Sequence, residues 1–345
     1  MELLHRLAGG FSASQILITA ARFRIADHLA NHPCSAEDLA QTIGVQPQAL
    51  HRFLRMLVVL KLATQAGTDS FALSPLGQPL RSDHADSVHD RLIYIGDIAY
   101  PMAQAMSHAV RTGNPAFDHV FGEPYFDHFA HHPEQDAIFG RLMSRGVSER
   151  VAGIVDAYDF SDVKTLVDIG GGHGALLAAI LTVASDAVGT IFDTPAVVEE
   201  ARASLALSSI AGRIDLVGGD LFRGPLPPNG DVYVLSNIIH DWDDAAAEQV
   251  LRNCRAAVRA DSRLLLIEEI MPAMVAEAPA TIANDYTMLL LTGGRQRTEP
   301  EFRRLLAATD FELTSAIRFG LGKTATRRRE NWAILECRPR QSSGG

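Results

Sequence analysis

Leu166-Val-Asp-Ile-Gly-Gly-Gly-His-Gly174 is an apolar run that stops at glycines, and Ala175-Leu-Leu-Ala-Ala-Ile-Leu181 follows it. The run predicts a buried parallel strand and the following segment a helix. A strand that turns on glycines into a helix offers backbone N–H groups and a positive helix end to a ligand. This is the nucleotide crevice of a doubly wound α/β fold. Gly170, Gly172 and Ala175 fit the dinucleotide fingerprint, and Asp193 lies near the spacing of a ribose ligand. Two further acids narrow the reading. Asp168 sits inside the strand, and Gly219-Asp220 closes a later one, Arg213-Ile-Asp-Leu-Val217.

Working outward from this motif, strands are predicted at 165–169, 189–193, 213–217, 231–237, 263–268, 311–318 and 331–337, with helices between them. The last two are joined without room for a helix, so they should pair antiparallel. Before Asp162 the chain reads as helical. Ser12–Leu29 carries Ile16, Ala20, Phe23 and Ala26 at helical spacing, Ser35-Ala-Glu-Asp38 is a capping-box start, and Gln48–Leu60 is amphipathic. Leu62–Gln65 and Ser70–Leu73 flank a turn, so three helices and a hairpin give a winged-helix pattern. The domains expected are 1–95, winged-helix-like; 96–150, a helical linker contributing to a substrate pocket; and 151–340, the nucleotide domain. Phe117, Phe121, Tyr125, Phe126 and Phe129 cluster in the linker, as core or as the wall of a pocket for a flat ligand. His128, His131 and His132 have no acidic partner at an obvious ligand spacing, so an exposed polar helix end is expected there.

A net charge of −10 argues against nucleic-acid and anionic-membrane partners. The basic run Arg327-Arg328-Arg329 reads as a solvated turn, and the tail Gln341–Gly345 as frayed. Cys34, Cys254 and Cys337 are few and far apart, which suits a reducing cytoplasm. No signal-peptide pattern is read, and no apolar segment reaches membrane-spanning length.

Val232-Tyr-Val-Leu-Ser-Asn-Ile-Ile239 runs into His240-Asp-Trp-Asp-Asp244, which places His240 at the carboxyl end of a central strand. Leu264-Leu-Leu-Ile-Glu268 ends at the same level, so Glu268 can reach the second imidazole nitrogen and fix its tautomer. Glu269 fits a solvent-facing strand end better. His240-Asp-Trp-Asp-Asp244, Glu268-Glu-Ile-Met-Pro272 and Gly293-Gly-Arg-Gln-Arg-Thr298, with the glycine motif and its acids, resemble the small-molecule O-methyltransferases of the caffeic-acid/hydroxyindole type, in their bacterial natural-product branch.

The resemblance covers nearly the whole chain. It implies a Rossmann-like sheet binding S-adenosylmethionine (SAM, leaving S-adenosylhomocysteine, SAH), an N-terminal dimerisation domain, a homodimer, and a small aromatic or polyketide-like acceptor. It also implies that Asp168, Gly170, Gly171 and Gly172 hold the methionine part and Asp193 the ribose. Asp220 and Leu221 would flank adenine, and Ser236, often Lys in plant members, and Trp242 would lie beside the cofactor. His240 would be the general base and Glu268 its partner. Phe139, Met143, Asp285 and Met288 would line the acceptor pocket, and no metal is expected. Plant members carry a second Glu against the histidine; here it is Gln296. Two alternatives stand beside this reading: a SAM-binding hydroxylase, decarboxylase or pericyclase on the same fold, and a winged-helix DNA-binding regulator.

Overall fold

A computed structural model describes residues 1–205, 208, 210–320 and 331–340, the side chains at 144–146 and 149 excepted. Arg327–Arg329 and the tail Gln341–Gly345 lie outside the described residues. The chain divides into two compact units, Met1–Gln104 with His132–Leu142, and Ala105–His131 with Met143–Gly345. Residues 96–150 are therefore shared between them.

The first unit has a small antiparallel sheet of β1 (Cys34–Ser35), β2 (Ala63–Gln65) and β3 (Ser70–Leu73), in the order β1-β3-β2. The hairpin is the expected one, with Ala66 N–H donating to the Ser70 carbonyl at its turn. β1, two residues long, carried no sequence signal. Helices Ala36–Ile43 and Pro47–Val59 bury Leu39, Leu50, Leu54 and Leu57 against Phe71. Ser35 caps the first of them, accepting from Asp38 N–H at 3.0 Å.

The helix expected over Ser12–Leu29 is broken. It runs Gly10–Arg22, and Ile25–His28 follows after Arg24 takes a left-handed backbone. Asp27 holds that corner: its carboxylate accepts from Arg24 Nε at 2.7 Å and Ser82 N–H at 2.8 Å. Ala20 is buried in this unit's core with Ile16 packed against it, while Phe23 is exposed. Other exposed apolar side chains lie earlier, on Leu3, Leu4, Leu7 and Phe11.

The second unit is built on seven strands: β4 (Thr165–Ile169), β5 (Val188–Asp193), β6 (Ile214–Gly218), β7 (Val232–Ser236), β8 (Arg263–Glu269), β9 (Phe311–Phe319) and β10 (Trp332–Pro339). Their order is β6-β5-β4-β7-β8-β10-β9. The first five pair parallel, and β10 runs antiparallel to both β8 and β9. Alternation along each strand feeds two cores. Val167, Tyr233, Leu235, Leu264 and Leu266 meet helices Asp244–Ala257 and Glu299–Ala307. Leu166, Val232, Val234, Leu265 and Ile267 meet Ala175–Val183 and the end of the long helix Pro133–Ala157.

The same alternation corrects the reading of Glu269. It is fully buried, because it shares a face with its cross-strand partner Trp332. The aromatic cluster is mostly core. Phe117, Tyr125 and Phe129 are buried, whereas Phe126 is exposed and meets Trp242 at 5.6 Å. The histidines do have an acidic partner. Glu123 lies 2.9 Å from His128 Nδ1 and 2.7 Å from His131 Nδ1, and His128 is buried rather than exposed.

Leu177 sits fully buried between the glycine loop's helix and β5. Leu177→Ala should lower unfolding stability by ~2–5 kcal/mol, the usual cost of such a truncation. A urea titration followed by circular dichroism measures it.

Candidate active site

The turn after β4 is built on three glycines with positive φ, Gly170, Gly172 and Gly174, and the last caps helix Ala175–Val183. Side chains are strained there. At Gly171 the constraint is space, since a Cβ would fall 2.9 Å from the Asp168 carboxylate. Asp193, at the end of β5, is tied to the same loop. Its Oδ2 accepts from Gly172 N–H at 2.9 Å and its Oδ1 from Thr194 N–H at 2.7 Å. Asp168 is 2 % exposed and its Oδ2 has no hydrogen bond. Burial, aided by the neighbouring Asp193, pushes its carboxyl up to about 7. Asp220 is exposed and closes an Asx turn by accepting from Phe222 N–H at 2.8 Å. Leu221 and Phe222 lean on the sheet's core, and Phe222 meets Trp242 edge-on at 4.7 Å.

After β7 the chain turns sharply. Asn237 is left-handed, and Ile239–Asp241 forms one 3-10 turn. Glu268, the penultimate residue of the neighbouring strand, fixes that turn. Its Oε1 accepts from Ile238 N–H at 3.2 Å and Ile239 N–H at 2.9 Å. Its Oε2 makes no hydrogen bond and lies 3.4 Å from His240 Nδ1. Gln296 Nε2 lies 3.0 Å from the same Nδ1, leaving the amide's buried Oε1 without a partner. Asp241 Oδ1 stands 3.4 Å from His240 Nε2.

The electrostatics follow from burial. His240 is 6 % exposed, and burial first, then the guanidiniums of Arg150 and Arg297, hold its pKa down to about 3. Burial pushes the Glu268 carboxyl up to about 8, and burial with Glu268 nearby raises Asp241 well above the carboxylate range.

The segment Gly293–Thr298 locks onto this turn from above. Arg295 N–H donates to the His240 carbonyl at 2.9 Å. Gly294 permits the approach, since a Cβ there would fall 2.7 Å from the Asp241 carbonyl oxygen. Arg297 is the fastener. It is 1 % exposed and donates to the Ile239 carbonyl at 2.9 Å, the Trp242 carbonyl at 2.8 Å and the Asp244 carboxylate at 2.9 Å. Asp285 joins the group by accepting from Gln296 N–H at 2.7 Å.

The structure therefore brings His240, Glu268, Gln296 and Asp285 into one contact network, and Asp168, Gly171, Gly172 and Asp193 into another. Met288 is buried on the helix that carries Asp285. Met143 is exposed, and Phe139 stacks on Tyr94 at 6.1 Å in the first unit. Sequence reasoning missed Arg297, Asp241 and Asn237. Arg297 looks no different from Arg295 two places before it, and only the fold separates a buried fastener from a surface cation.

Comparison with known proteins gives the family. The O-methyltransferase domain matches residues 104–312, and the O-methyltransferase dimerisation domain matches residues 5–82. The chain belongs to the O-methyltransferase family. The phenazine O-methyltransferase PhzM of Lysobacter antibioticus is 38% identical over 340 residues, 98% of this chain and 96% of that one. Among solved structures, the mitomycin 7-O-methyltransferase MmcR has a TM-score of 0.88 at 31% identity, covering 98% of this chain and 97% of that one. The O-methyltransferase NcsB1 of neocarzinostatin biosynthesis was solved with SAM and 2-hydroxy-5-methyl naphthoic acid. It has a TM-score of 0.83 at 30% identity, covering 95% of this chain and 96% of that one.

This O-methyltransferase uses SAM as donor and yields SAH. Its residues fit that ligand. Asp168 Oδ2, Ser236 Oγ, Asn237 Oδ1 and Trp242 Nε1 are buried polar atoms without partners beside the glycine turn or the His240 turn. Buried polar atoms left open in this way call for a ligand. No helix among the described residues is long and apolar enough to cross a membrane.

Arg297→Met should strip two buried carbonyls of their donor and lower the melting temperature, at a cost of ~2–5 kcal/mol. A thermal melt reads the loss, and an unchanged midpoint would show that the segment is held by other contacts.

Proposed function

We propose that this enzyme methylates a hydroxyl, phenolic in kind, on a small aromatic or polyketide-like metabolite, with His240 as general base. One observation supports the reading. His240 is buried with Nδ1 against Glu268 and Gln296, while Nε2 has the Asp241 carboxylate 3.4 Å away. An imidazole held through one nitrogen, with the other left to take up a proton, suits proton abstraction. The relatives support the acceptor class. One is named for phenazine, and another was crystallised with a hydroxylated naphthoic acid.

A phenol of pKa roughly 10 is ionised to about one part in a thousand at neutral pH. Helping it lose its proton recovers up to ~4 kcal/mol. SAM supplies a methyl already activated by its sulfonium charge. What remains for the chain is alignment and the proton. To receive that proton Nε2 must be bare, so Nδ1 must carry hydrogen and position 296 must present an acceptor. Turning the Gln296 amide over exchanges nitrogen for oxygen at 3.0 Å from Nδ1 and gives the unpartnered Oε1 its hydrogen bond. Asp168, the glycine turn, Asp193, Asp220 and Leu221 are assigned to the cofactor. Met143, Met288 and Asp285 are assigned to the acceptor. We also propose a homodimer, with Leu3, Leu4, Leu7 and Phe11 as the apolar face that meets the second copy.

His240→Ala should leave SAM affinity nearly unchanged and lower kcat by ~10²–10⁴. Calorimetry and an SAH-release assay across a panel of hydroxylated aromatic acceptors measure the two quantities. A near-normal rate at neutral pH sinks the base assignment, and SAH formed only with amines sinks the hydroxyl.

Gln296→Glu should move the acid limb of the kcat/KM profile to higher pH. A second carboxylate at Nδ1 favours the imidazolium and raises a pKa that burial holds low. An unmoved limb would show that position 296 does not act on His240.

For the dimer, Leu4→Asp with Phe11→Asp should shift sedimentation equilibrium towards monomer. Unaltered association would place the interface elsewhere.

A further inference from the structure

Glu268 and Gln296 differ in what they can do for charge. Gln296 is neutral at every pH, so the charge on the Nδ1 side of His240 rests on Glu268 alone. Glu268 is fully buried. Two backbone N–H groups hold its Oε1, while its Oε2 faces only the imidazole. The groups around it offer little compensation. Asp241, on the turn, supplies no positive charge, and burial with Glu268 beside it raises its own pKa. Arg297 already donates to Asp244 and two carbonyls, and Arg150 lies over the Trp332 ring at 5.2 Å. A carboxylate so placed, without a dedicated cation, keeps its proton. Burial accordingly holds the Glu268 carboxyl protonated up to about pH 8.

SAM and SAH differ at one atom. The donor carries a fixed positive charge on sulfur and the product does not, while both carry the same amino and carboxyl groups. If His240 is the general base, the methyl-bearing sulfonium must come close to it, and a cation there favours the ionised form of Glu268 whereas a neutral thioether does not.

We propose that Glu268 gauges the charge on the cofactor's sulfur: it holds a proton while the site lacks the sulfonium, releases it to solvent when SAM binds, and takes one back once SAH is left. The inference rests on the methyltransferase reading above and adds two consequences to it. The base is armed only when the donor is present, because ionised Glu268 is what stabilises a protonated His240. The spent product is also held less tightly than the donor. Asp168, whose neighbours are Asp193 and, beyond it, His173, faces the glycine turn rather than His240. Any proton it exchanges with the ligand's amino group is common to SAM and SAH and cancels in their difference.

The test is titration calorimetry of the whole protein with SAM and with SAH, repeated in buffers of different ionisation enthalpy, which counts protons released on binding. SAM should release up to one more proton than SAH near neutral pH. Its affinity relative to SAH should climb by up to about tenfold per pH unit below pH ~8 and level off above it, because binding then no longer displaces a proton. In Glu268→Gln the difference in proton count should vanish while both ligands still bind. Equal proton release by the two ligands in the wild type, or an undiminished difference in Glu268→Gln, would overturn the inference. Heat from neither ligand would overturn the cofactor reading itself, and this inference with it.

Discussion

The active site depends on one carboxylate that does two jobs with its two oxygens. Glu268 Oε1 accepts both N–H groups at the start of the 3-10 turn, and Oε2 faces the imidazole that the turn presents. Asn237 enters the turn left-handed, and its first N–H groups point into the protein, where an unmet donor costs about 1–3 kcal/mol. A glutamate at the end of the neighbouring parallel strand reaches them only because β7 and β8 are in register, Ser236 beside Ile267. The position of His240 is thus a consequence of strand pairing carried one residue beyond the sheet.

The far side of the turn is held by a different chemistry. Arg297 spans three acceptors with a planar fork that lysine lacks, and its charge is met by Asp244 at the head of a helix. Asp243 caps that helix, and Asp244 is left free to pair with Arg295 and Arg297. Two adjacent aspartates in the His-Asp-Trp-Asp-Asp stretch therefore have separate tasks, one on the backbone and one on the fastening segment.

Much of this was legible in the sequence. All seven strands of the large sheet fall within a residue or two of the apolar runs, because buried strands bounded by glycines and polar turns leave a strong periodic trace. His240 and Glu268 were read from the convergence of strand ends on one crevice, and Gln296 from the family resemblance alone. What escaped had local causes. The break at Arg24 depends on Asp27 reaching Ser82, a contact fifty-five residues away that no spacing reveals. Glu269 read as a solvent end because the strand that covers it comes more than sixty residues later. Glu123 was overlooked as a histidine partner because its spacings to His128 and His131 are joined by the end of a short helix rather than by a metal-site pattern.

The acids of the crevice explain why such a protein takes a cationic donor. Asp168 and Asp193 on one side, and Asp241 and Glu268 on the other, all lie above their ordinary carboxyl pKa because they are buried. Burying four acids is unfavourable for the free protein, whether they ionise or keep protons that the unfolded chain would release. A ligand that brings positive charge removes part of that cost only in the folded state, so folding and cofactor binding support each other. A second glutamate at position 296 would deepen the negative field at His240. The amide found there keeps the geometry around Nδ1 while leaving the charge of that side to a single group.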